Sequence, residues 1–253
     1  MIIPGMVSAT FKKESPDYVL SVLKKAGLKG IEWSENWHVP VGMPQVAAAL
    51  ARKTVELGAE VAAYGSYYRL GEQENPAEVF SRSLQNAVAM QAPLIRIWGG
   101  RKGSKVLTPS EREPLAREAA LISRMAAQEG LKVALEWHKE TVTDTNESAM
   151  TFLDAAAAPN LYCLWQPTVA LSMQQRVEGI EQLEARGRLL NLHVYHWQDG
   201  RRRPFSEGIE EWQTYLAHVR PEETRYGLLE FVMNDSQEQF LKDAVQWKHL
   251  LAQ

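Results

Sequence analysis

The sequence predicts a single (β/α)8 barrel that occupies all of residues 1–253. Short apolar runs alternate with helical stretches eight times, and such alternation requires parallel strand pairing. Eight strand–helix units are the number that closes a barrel. A chain of 253 residues is typical of a one-domain α/β barrel, and no linker interrupts the pattern. A doubly wound open sheet is the alternative, but the first strand–helix turn lacks a glycine-rich phosphate-binding motif.

The first four units are predicted from apolar runs and from helix start and stop signals. Ser15 is a suitable N-cap, Pro16 fits the first helical position, and Gly27 is typical of a helix end. Comparable signals mark the helices that follow. The strands are expected at residues 2–10, 28–33, 60–64 and 93–98, and the helices at residues 15–27, 44–57, 75–90 and 108–129.

The last four units continue the pattern, with strands expected at residues 132–138, 161–165, 189–195 and 226–232, and helices at residues 145–157, 173–185, 209–219 and 236–251. The fifth strand is a short apolar run that ends in Glu136 and His138. Alternation along a strand places these two residues on one face and Trp137 on the other. A carboxylate at the end of a buried strand requires compensation, which is either a bound cation or an arginine or lysine partner.

Composition and charge favour a cytoplasmic enzyme or binding protein. Hydrophobic residues make up 45% and charged residues 23%, as in ordinary globular proteins. The net charge of −3 and the short basic run at residues 201–203 give no basic face for a nucleic acid. The single cysteine, Cys163, excludes an intrachain disulfide and suits a reducing compartment. Neither a signal peptide nor a membrane span is expected, because no apolar run is long enough.

Chemistry is expected at the C-terminal ends of the strands, where the active sites of (β/α)8 barrels lie. Five of the eight tryptophans fall at these predicted ends: Trp33, Trp98, Trp137, Trp165 and Trp197. Flat aromatic rings at a barrel mouth suit stacking on the C–H face of a sugar, and Trp33 and Trp98 are predicted to bind substrate in this way. Packing between strands and helices is the alternative for each of them.

The ends of strands five to eight carry a set of oxygen and nitrogen ligands, Glu136, Gln166, His193 and Glu230. Two carboxylates, an imidazole and an amide oxygen suit Mn²⁺, Mg²⁺, Co²⁺ or Zn²⁺, and no thiolate is among them. Each residue alone is more often structural. Their equivalent positions on four consecutive strands predict a site for one divalent metal ion.

Over nearly its whole length the chain resembles the xylose isomerase-like superfamily of sugar-phosphate isomerases and epimerases. The resemblance rests on residues 30–33, 96–100, 136–138, 141–145, 193–197, 203–205 and 229–230, with Ser104 and Gly208. Members of that family bind one divalent cation through Glu, Asp, His and Glu from strands five to eight. The resemblance thus implies Glu136, the Gln166 position, His193 and Glu230 as ligands, and it implies a barrel that often pairs with a second copy.

Two features of the ligand set leave alternatives open. Gln166 stands where the family usually has Asp, and a neutral amide oxygen is a weaker ligand than a carboxylate. The site is therefore expected to bind metal less tightly, to prefer a different ion, or to be empty in the isolated protein. His193 and His196 point to opposite faces of a regular strand, so only one of them is expected to be a ligand, and His193 is preferred because the apolar run leads directly into it.

This set of residues predicts removal of a proton from the carbon next to a carbonyl. Such a reaction needs a base and a charge that stabilises the developing anion, which a divalent cation provides. Glu136 and Glu230 are the predicted catalytic residues, one removing the proton and the other returning it. Action from one face gives an aldose–ketose isomer, and action from opposite faces gives an epimer.

The remaining predicted site residues are substrate-binding. His138 is expected to bind a substrate hydroxyl or to orient Glu136, with a merely structural role as its alternative. The others are cations and polar residues near the strand ends: Arg96, Arg101, Arg203, Ser104 and His196. The three arginines suit an anionic substrate group. The alternatives are that Arg96 pairs with Glu136 or Glu32 and that Arg203 is a solvated surface cation.

A metal-dependent isomerase or epimerase of a small sugar is therefore the first functional prediction. A lyase or hydratase acting on a keto-sugar or keto-acid is the second, because the same base and metal serve it. An endonuclease that cleaves at abasic sites is a third, since the superfamily contains zinc enzymes of that kind, but six histidines and a negative net charge fit it poorly. A barrel that binds a sugar without catalysis is the fourth.

Overall fold

Eight parallel strands form a closed barrel in the computed structural model, which describes residues 1–253, and eight helices surround the barrel. Neighbouring barrel strands follow one another in the chain, and the last strand pairs with the first. The predicted (β/α)8 barrel is therefore confirmed. The strands are β1 (Ile2–Val7), β2 (Gly30–Ser34), β3 (Glu60–Arg69), β4 (Leu94–Trp98), β5 (Lys132–Glu136), β6 (Leu161–Trp165), β7 (Leu189–Val194), the hairpin strands β8 (Trp197–Gln198) and β9 (Arg201–Arg202), and the eighth barrel strand β10 (Arg225–Leu229).

The helices begin close to the predicted positions. They are α1 (Pro16–Ala26), α2 (Pro44–Glu56), α3 (Pro76–Ala89), α4 (Pro109–Gln128), α5 (Asn146–Ala156), α6 (Met173–Ala185), α7 (Ile209–Ala217) and α8 (Gln237–Leu251). The side chains of Ser15, Asn75 and Thr108 each accept a hydrogen bond from the backbone N–H three residues later, as N-caps do. Gly27 ends α1 in the left-handed conformation with φ of 62°.

The ends of three strands differ from the prediction by three or more residues, whereas the other strand boundaries lie within two residues of it. The first strand stops at Val7, because a 3-10 turn follows in which the Ser8 hydroxyl accepts a hydrogen bond from the Ser34 N–H at 2.8 Å. The third strand continues to Arg69, which pairs with Trp98 beyond an irregularity in the ladder. The last strand ends at Leu229 instead of residue 232.

The core has two layers. The larger layer packs the outward faces of the strands against the helices and contains Val133, Leu135 and Trp137. Within the barrel lie two small apolar clusters, Ala63, Leu94, Ala134 and Leu164, and Val7, Ala62 and Leu228. The predicted alternation of the fifth strand is thus confirmed, since Ala134 faces inward and its neighbours face the helices. None of the helices has the length and apolar character that crossing a membrane requires.

Candidate metal centre and active site

Six polar side chains meet inside the barrel at the C-terminal ends of its strands, and all six are buried: Glu32, Arg96, Glu136, Gln166, His193 and Glu230. They come together because parallel strands end at one mouth and every second residue of a strand points into the barrel. Above the apolar interior of the barrel there is therefore a compact polar site.

Four of these residues are the predicted metal ligands, and each keeps one buried atom without a hydrogen-bond partner. The atoms are Glu136 Oε2, Gln166 Oε1, His193 Nδ1 and Glu230 Oε2. One ligand atom from each of Glu136, His193 and Glu230 lies within 4.8 Å of the other two. Buried polar atoms are rarely left without partners, because each loses its hydration without replacement. A cation at this position would satisfy them.

The charges of the site also fit a divalent cation. Glu32, Glu136 and Glu230 are three carboxylates, while Arg96 is the one guanidinium among them. Burial lowers the pKa of His193, but Glu230 and Glu32 outweigh it and raise the pKa to about 10, so without a metal the imidazolium balances one of the two remaining negative charges. When His193 binds a metal it must be neutral, and both negative charges then remain uncompensated. Buried charges are costly unless they are paired or bind a metal, and a divalent ion would balance these two. The donor types and the net charge therefore suit the metals predicted from the sequence.

Gln166 holds its amide in an orientation compatible with the predicted ligand role. Its Nε2 donates to the backbone carbonyl of Trp137 at 2.7 Å and lies 3.3 Å from Glu136 Oε1. Both partners are acceptors, so the amide nitrogen must face them, and Oε1 is left unpartnered. An aspartate at this position would place a negative charge beside Glu136 and would donate no hydrogen bond to either acceptor.

His193 lies between two carboxylates, and Glu32 is the residue that the sequence reasoning omitted from the site. His193 Nε2 is 3.1 Å from Glu32 Oε2, and Nδ1 is 3.3 Å from Glu230 Oε2. A carboxylate that binds the second ring nitrogen is the usual partner of a metal-binding histidine, because it fixes the tautomer and the ring orientation. The signal was available, since Glu32 ends the second strand just as Glu136 ends the fifth.

Arg96 lies inside the site and not at a position that could receive a substrate anion. Its Nη2 donates to Glu32 Oε1 at 3.1 Å, and its Nη1 donates to the Ser66 carbonyl and lies 3.1 Å from Glu136 Oε2. Of the two roles considered for Arg96, the structure contains the ion pair, and Arg96 pairs with both Glu32 and Glu136. A Cβ atom at Gly65 would lie 2.5 Å from Glu32 Oε1, so glycine is required there to make room for this pair.

The two glutamates that share Arg96 have opposite acid–base properties. Burial opposes ionisation of Glu32, but His193 and Arg96 outweigh it and lower the pKa to about 2. Burial raises the pKa of Glu136 and the nearby Glu230 adds to this effect, while Arg96 acts against it. Groups whose pKa values are driven apart in this way take different roles in acid–base chemistry. Glu32 suits a permanent anion, and Glu136 suits a group that exchanges a proton.

Glu230 is held in place by an unusual backbone conformation directly after it. Its N–H donates to the Val194 carbonyl at 2.9 Å, which extends the barrel ladder by one residue. The next residue, Phe231, has φ of 61°, and its N–H donates to the Thr10 hydroxyl at 3.1 Å. A bulky residue in the left-handed region costs about 1–3 kcal/mol and occurs mainly at functional sites.

His138 lies beside the site in a loop fixed by threonine hydroxyls. Thr143 donates to the Glu136 carbonyl and Thr141 to the His138 carbonyl, each at 2.7 Å. His138 Nδ1 lies 2.7 Å from the carbonyl of Lys139, so Nδ1 must carry the proton. In the neutral ring, Nε2 is then a free base. The His138 ring packs on Trp98 at a centroid distance of 4.6 Å.

The predicted role of Trp33 in substrate binding is wrong. Trp33 is fully buried and its indole N–H donates to Thr54 on α2 at 3.1 Å. Trp137 and Trp165 are likewise buried. Each of the three is the strand neighbour of an inward-facing site residue, so alternation turns it toward the helices. For these tryptophans the packing alternative is correct, whereas Trp98 and Trp197 remain partly exposed.

The other predicted substrate-binding residues lie outside the buried site. Arg101 is 69% exposed and pairs with Glu72, and Arg203 is 43% exposed and pairs with Glu207, which is the surface alternative for Arg203. Ser104 uses its backbone N–H to contact Asp144 at 2.9 Å. His196 is partly buried against Gly208 and is not part of the ligand group, in which His193 is the histidine.

Two further residues at the mouth were not predicted. The Tyr67 ring faces Arg96 at 5.8 Å, and burial raises the pKa of its phenol. The Arg69 guanidinium stacks on Trp98 at 4.2 Å. Both lie in the part of β3 beyond residue 64, where no strand is predicted. The alternation of side chains along a strand therefore did not point to them.

Comparison with known proteins places these features in a family. The sequence profile described as xylose isomerase-like TIM barrel matches residues 20–247. A segment of 67 residues is 36% identical to a 3-dehydroshikimate dehydratase of Bacillus anthracis, and it spans 26% of this chain and 24% of that protein. That match covers only about a quarter of the relative.

Several solved structures share the fold at low identity. The structure of a probable 3-DHS dehydratase from Bacillus anthracis has a TM-score of 0.77 and 16% identity, and the match covers 98% of this chain and 99% of that one. The 3-keto-D-glucoside 4-epimerase of E. coli has a TM-score of 0.71 and 12% identity, with full coverage of both chains. An L-ribulose 3-epimerase has a TM-score of 0.67 and 13% identity, covering 100% of this chain and 93% of that one. At these identities the similarity concerns the fold.

Proposed function

The chain belongs to the xylose isomerase-like TIM barrel family, and on that premise we propose that it is a divalent-metal-dependent isomerase or epimerase of a small sugar or sugar derivative. The reaction begins with removal of a proton from the carbon next to a carbonyl. One observation carries the proposal: Glu136, Gln166, His193 and Glu230 each keep a buried ligand atom without a hydrogen-bond partner at the barrel mouth, although Arg96 lies within ion-pair distance of the Glu136 atom.

The surroundings of each site residue determine the role that we assign to it. Glu136, Gln166, His193 and Glu230 would hold a divalent cation, whose positive charge would stabilise the anion formed when the proton leaves. Glu136, a buried carboxylate at the end of β5 within the ligand group, is the group that removes the proton. Glu230, which lies 3.3 Å from His193 Nδ1, returns it. Glu32 stays ionised and holds the His193 ring in place.

The position of the two carboxylates relative to the substrate determines the product. If Glu136 and Glu230 act on one face, the proton moves to the neighbouring carbon and an aldose–ketose isomer forms. If they act on opposite faces, the proton returns to the same carbon and an epimer forms.

A dehydratase is the second candidate function, and His138 is the observation that favours it. Its Nδ1 proton is held by the Lys139 carbonyl, so Nε2 is available to accept a proton two residues beyond Glu136. Loss of water requires one base for the C–H proton and a hydroxide that leaves from the adjacent carbon, which needs no second carboxylate. The local 36% identity to a 3-dehydroshikimate dehydratase adds to this possibility.

Solvent-deuterium incorporation separates the two functions. The Mn²⁺-loaded protein is incubated in D2O with a panel of ketoses and aldoses and with 3-dehydroshikimate, and the products are followed by NMR and mass spectrometry. An isomerase or epimerase incorporates deuterium next to the carbonyl without a change in elemental composition. A dehydratase produces a compound lighter by one water. A metal-loaded protein that does neither with any compound contradicts the first proposal and favours a sugar-binding barrel.

Metal analysis tests the proposed cofactor independently of turnover. We expect one divalent ion per chain, bound by the folded protein and released by a chelator. Several zinc ions per chain would instead favour the endonuclease alternative, and a metal-loaded structure would test whether Gln166 reaches the ion. We also propose a cytoplasmic location, because the single cysteine, Cys163, is buried and unpaired.

A further inference from the structure

Arg69, the last residue of β3, is a cation at the barrel mouth whose hydrogen-bonding capacity is largely unused. Its Nη1 donates to the Gly100 carbonyl at 3.0 Å. Its Nε lies 3.8 Å from Glu72 Oε1, which is beyond hydrogen-bond distance. A guanidinium has five N–H donors, so most of those on Arg69 have no acceptor in the protein. The side chain is only 15% exposed, yet none of its unbonded nitrogen atoms is fully buried, so these donors are accessible from solvent.

No nearby carboxylate forms an ion pair with Arg69 alone. Arg101 holds Glu72 through both carboxylate oxygens. Arg96 is neutralised by Glu32 and Glu136. Burial lowers the pKa of Arg69, and the positive charge of Arg101 lowers it further. Arg69, Arg101 and Glu72 together therefore leave one positive charge at this edge of the mouth, within electrostatic range of the acid Glu136.

The position of Arg69 connects this charge to the proposed site. The Arg69 guanidinium carbon lies over the Trp98 ring, 4.2 Å from its centroid. The His138 ring contacts the same indole at a centroid distance of 4.6 Å. The Trp98 N–H is buried and has no acceptor either. The Arg69 charge is close enough to Glu136 for the two to interact. Unused donors therefore lie at the edge of the mouth that Trp98 and His138 line, within electrostatic range of the carboxylate that is proposed to remove the proton.

We propose that Arg69 binds a carboxylate or phosphate group of the substrate, so that this barrel acts on anionic sugar derivatives and not on neutral sugars. The inference rests on the proposed function, since it concerns the substrate of that same site. An anion would give the Arg69 guanidinium the bidentate partner that it lacks. It also accounts for a largely buried arginine whose one carboxylate contact is long, 3.8 Å to Glu72, and is made to an acid that Arg101 already holds. Arg96, which was predicted for this role from the sequence, is already occupied by its glutamates.

The competing explanation is that Arg69 only stacks on Trp98 to stabilise the loop. A stacking role affects thermal stability and the binding of all sugars alike. An anion-binding role affects only charged compounds, so paired probes distinguish the two.

The test measures binding by titration calorimetry on the Mn²⁺-loaded protein with matched probes. One pair is dihydroxyacetone and hydroxypyruvate, which differ by replacement of a CH2OH group with a carboxylate. A second pair is dihydroxyacetone and its phosphate, and a third is D-fructose and its 6-phosphate. The variants are Arg69→Gln, Arg69→Lys and, as the matched control, Arg82→Gln, because Arg82 is an exposed arginine on the outer helix α3.

We expect the wild-type protein to bind at least one anionic probe about tenfold or more tightly than its neutral partner, the value of one charge-assisted hydrogen bond. Arg69→Gln should remove this preference, Arg69→Lys should retain part of it, and Arg82→Gln should retain all of it. The inference is overturned if neutral probes bind as well as anionic ones, if no anionic probe binds, or if the preference survives in Arg69→Gln.

Deuterium exchange keeps this result separate from the proposed function. Exchange into neutral sugars only would reject the anion site and leave the isomerase or epimerase proposal intact. Arg69-dependent binding of anions without any exchange would support the anion site and reject the proposed reaction.

Discussion

The protein buries arginine–glutamate pairs at both ends of its barrel, and the two ends differ in how completely the charges are matched. At the N-terminal end, Arg225 Nη1 lies 2.9 Å from Glu184 Oε1, and both side chains are buried. The same Oε1 atom also accepts a hydrogen bond from the Arg220 N–H at 3.0 Å. The Arg220 guanidinium, which is 51% exposed, lies 4.0 Å from the other oxygen of Glu184. One buried cation therefore faces one buried anion.

At the C-terminal mouth a single arginine serves several acids. Arg96 contacts Glu32 and Glu136, while Glu230 and His193 lie beside them. A matched buried pair holds elements together, whereas an excess of buried acids needs a further positive charge, from a proton or from a bound cation. From this difference between the two ends we infer that the Glu184–Arg225 pair at the N-terminal end supports the fold. The cluster at the C-terminal mouth is then the binding site.

The largest effect is expected from removing either proposed proton-transfer group at the mouth. Glu136→Gln and Glu230→Gln should each lower deuterium exchange by about 100- to 10,000-fold, the usual contribution of general acid–base catalysis. The substitutions preserve shape, so circular dichroism should be unchanged. Glu129→Gln is the control, because Glu129 is an exposed residue at the end of α4. Full exchange in either mouth variant would remove that glutamate from the mechanism.

At the Glu184–Arg225 pair we expect a loss of stability without a loss of activity. Glu184→Gln leaves Arg225 buried without its counter-ion, and the free energy of unfolding should fall by about 3 kcal/mol. Urea denaturation measures this loss, and turnover per folded molecule should stay the same. Glu181→Gln on the same helix should change stability little, because Glu181 is 53% exposed. Loss of activity in folded Glu184→Gln would mean that the two ends are not independent.

A smaller effect is expected for Glu32→Gln, which alters the orientation of His193 without removing a proposed ligand. Metal affinity should fall by about 10- to 100-fold, as for other carboxylates that hold metal-binding histidines. Competition with a fluorescent chelator measures this affinity. A purely structural role predicts a lower melting temperature of the metal-free protein with unchanged metal affinity, and that result would contradict the assignment.

The smallest effect is expected for Gln166→Asp, which adds a fourth acid to the mouth. Without metal, the new carboxylate lies beside Glu136 and should lower the melting temperature. With Mn²⁺ the added charge should strengthen binding, and each tenfold gain in affinity adds about 1.4 kcal/mol of stability. The difference in melting temperature with and without Mn²⁺ should therefore increase. An equal or smaller difference would show that position 166 does not act on the ion.

The sequence was sufficient for the fold and for much of the cluster. Helix caps such as Ser15 and Thr108 act on residues three positions away, so a linear reading detects them. The alternation of the fifth strand correctly placed Glu136 inside the barrel. The same alternation also implied that Trp33 faces the helices, because Trp33 follows Glu32, but the clustering of tryptophans at the strand ends obscured it.

The choice of partners depended on the tertiary structure. Glu32 meets Arg96 across 64 residues and His193 across 161 residues, and only closure of the barrel brings them together. A sequence shows that charged groups lie at one end of a barrel, because strand direction and side-chain alternation are local properties. It does not show which acid pairs with the arginine, which pairs with the histidine and which is free to bind a metal. The strength of each pair depends on distances of a few ångströms between strands, and these are set by the tertiary structure.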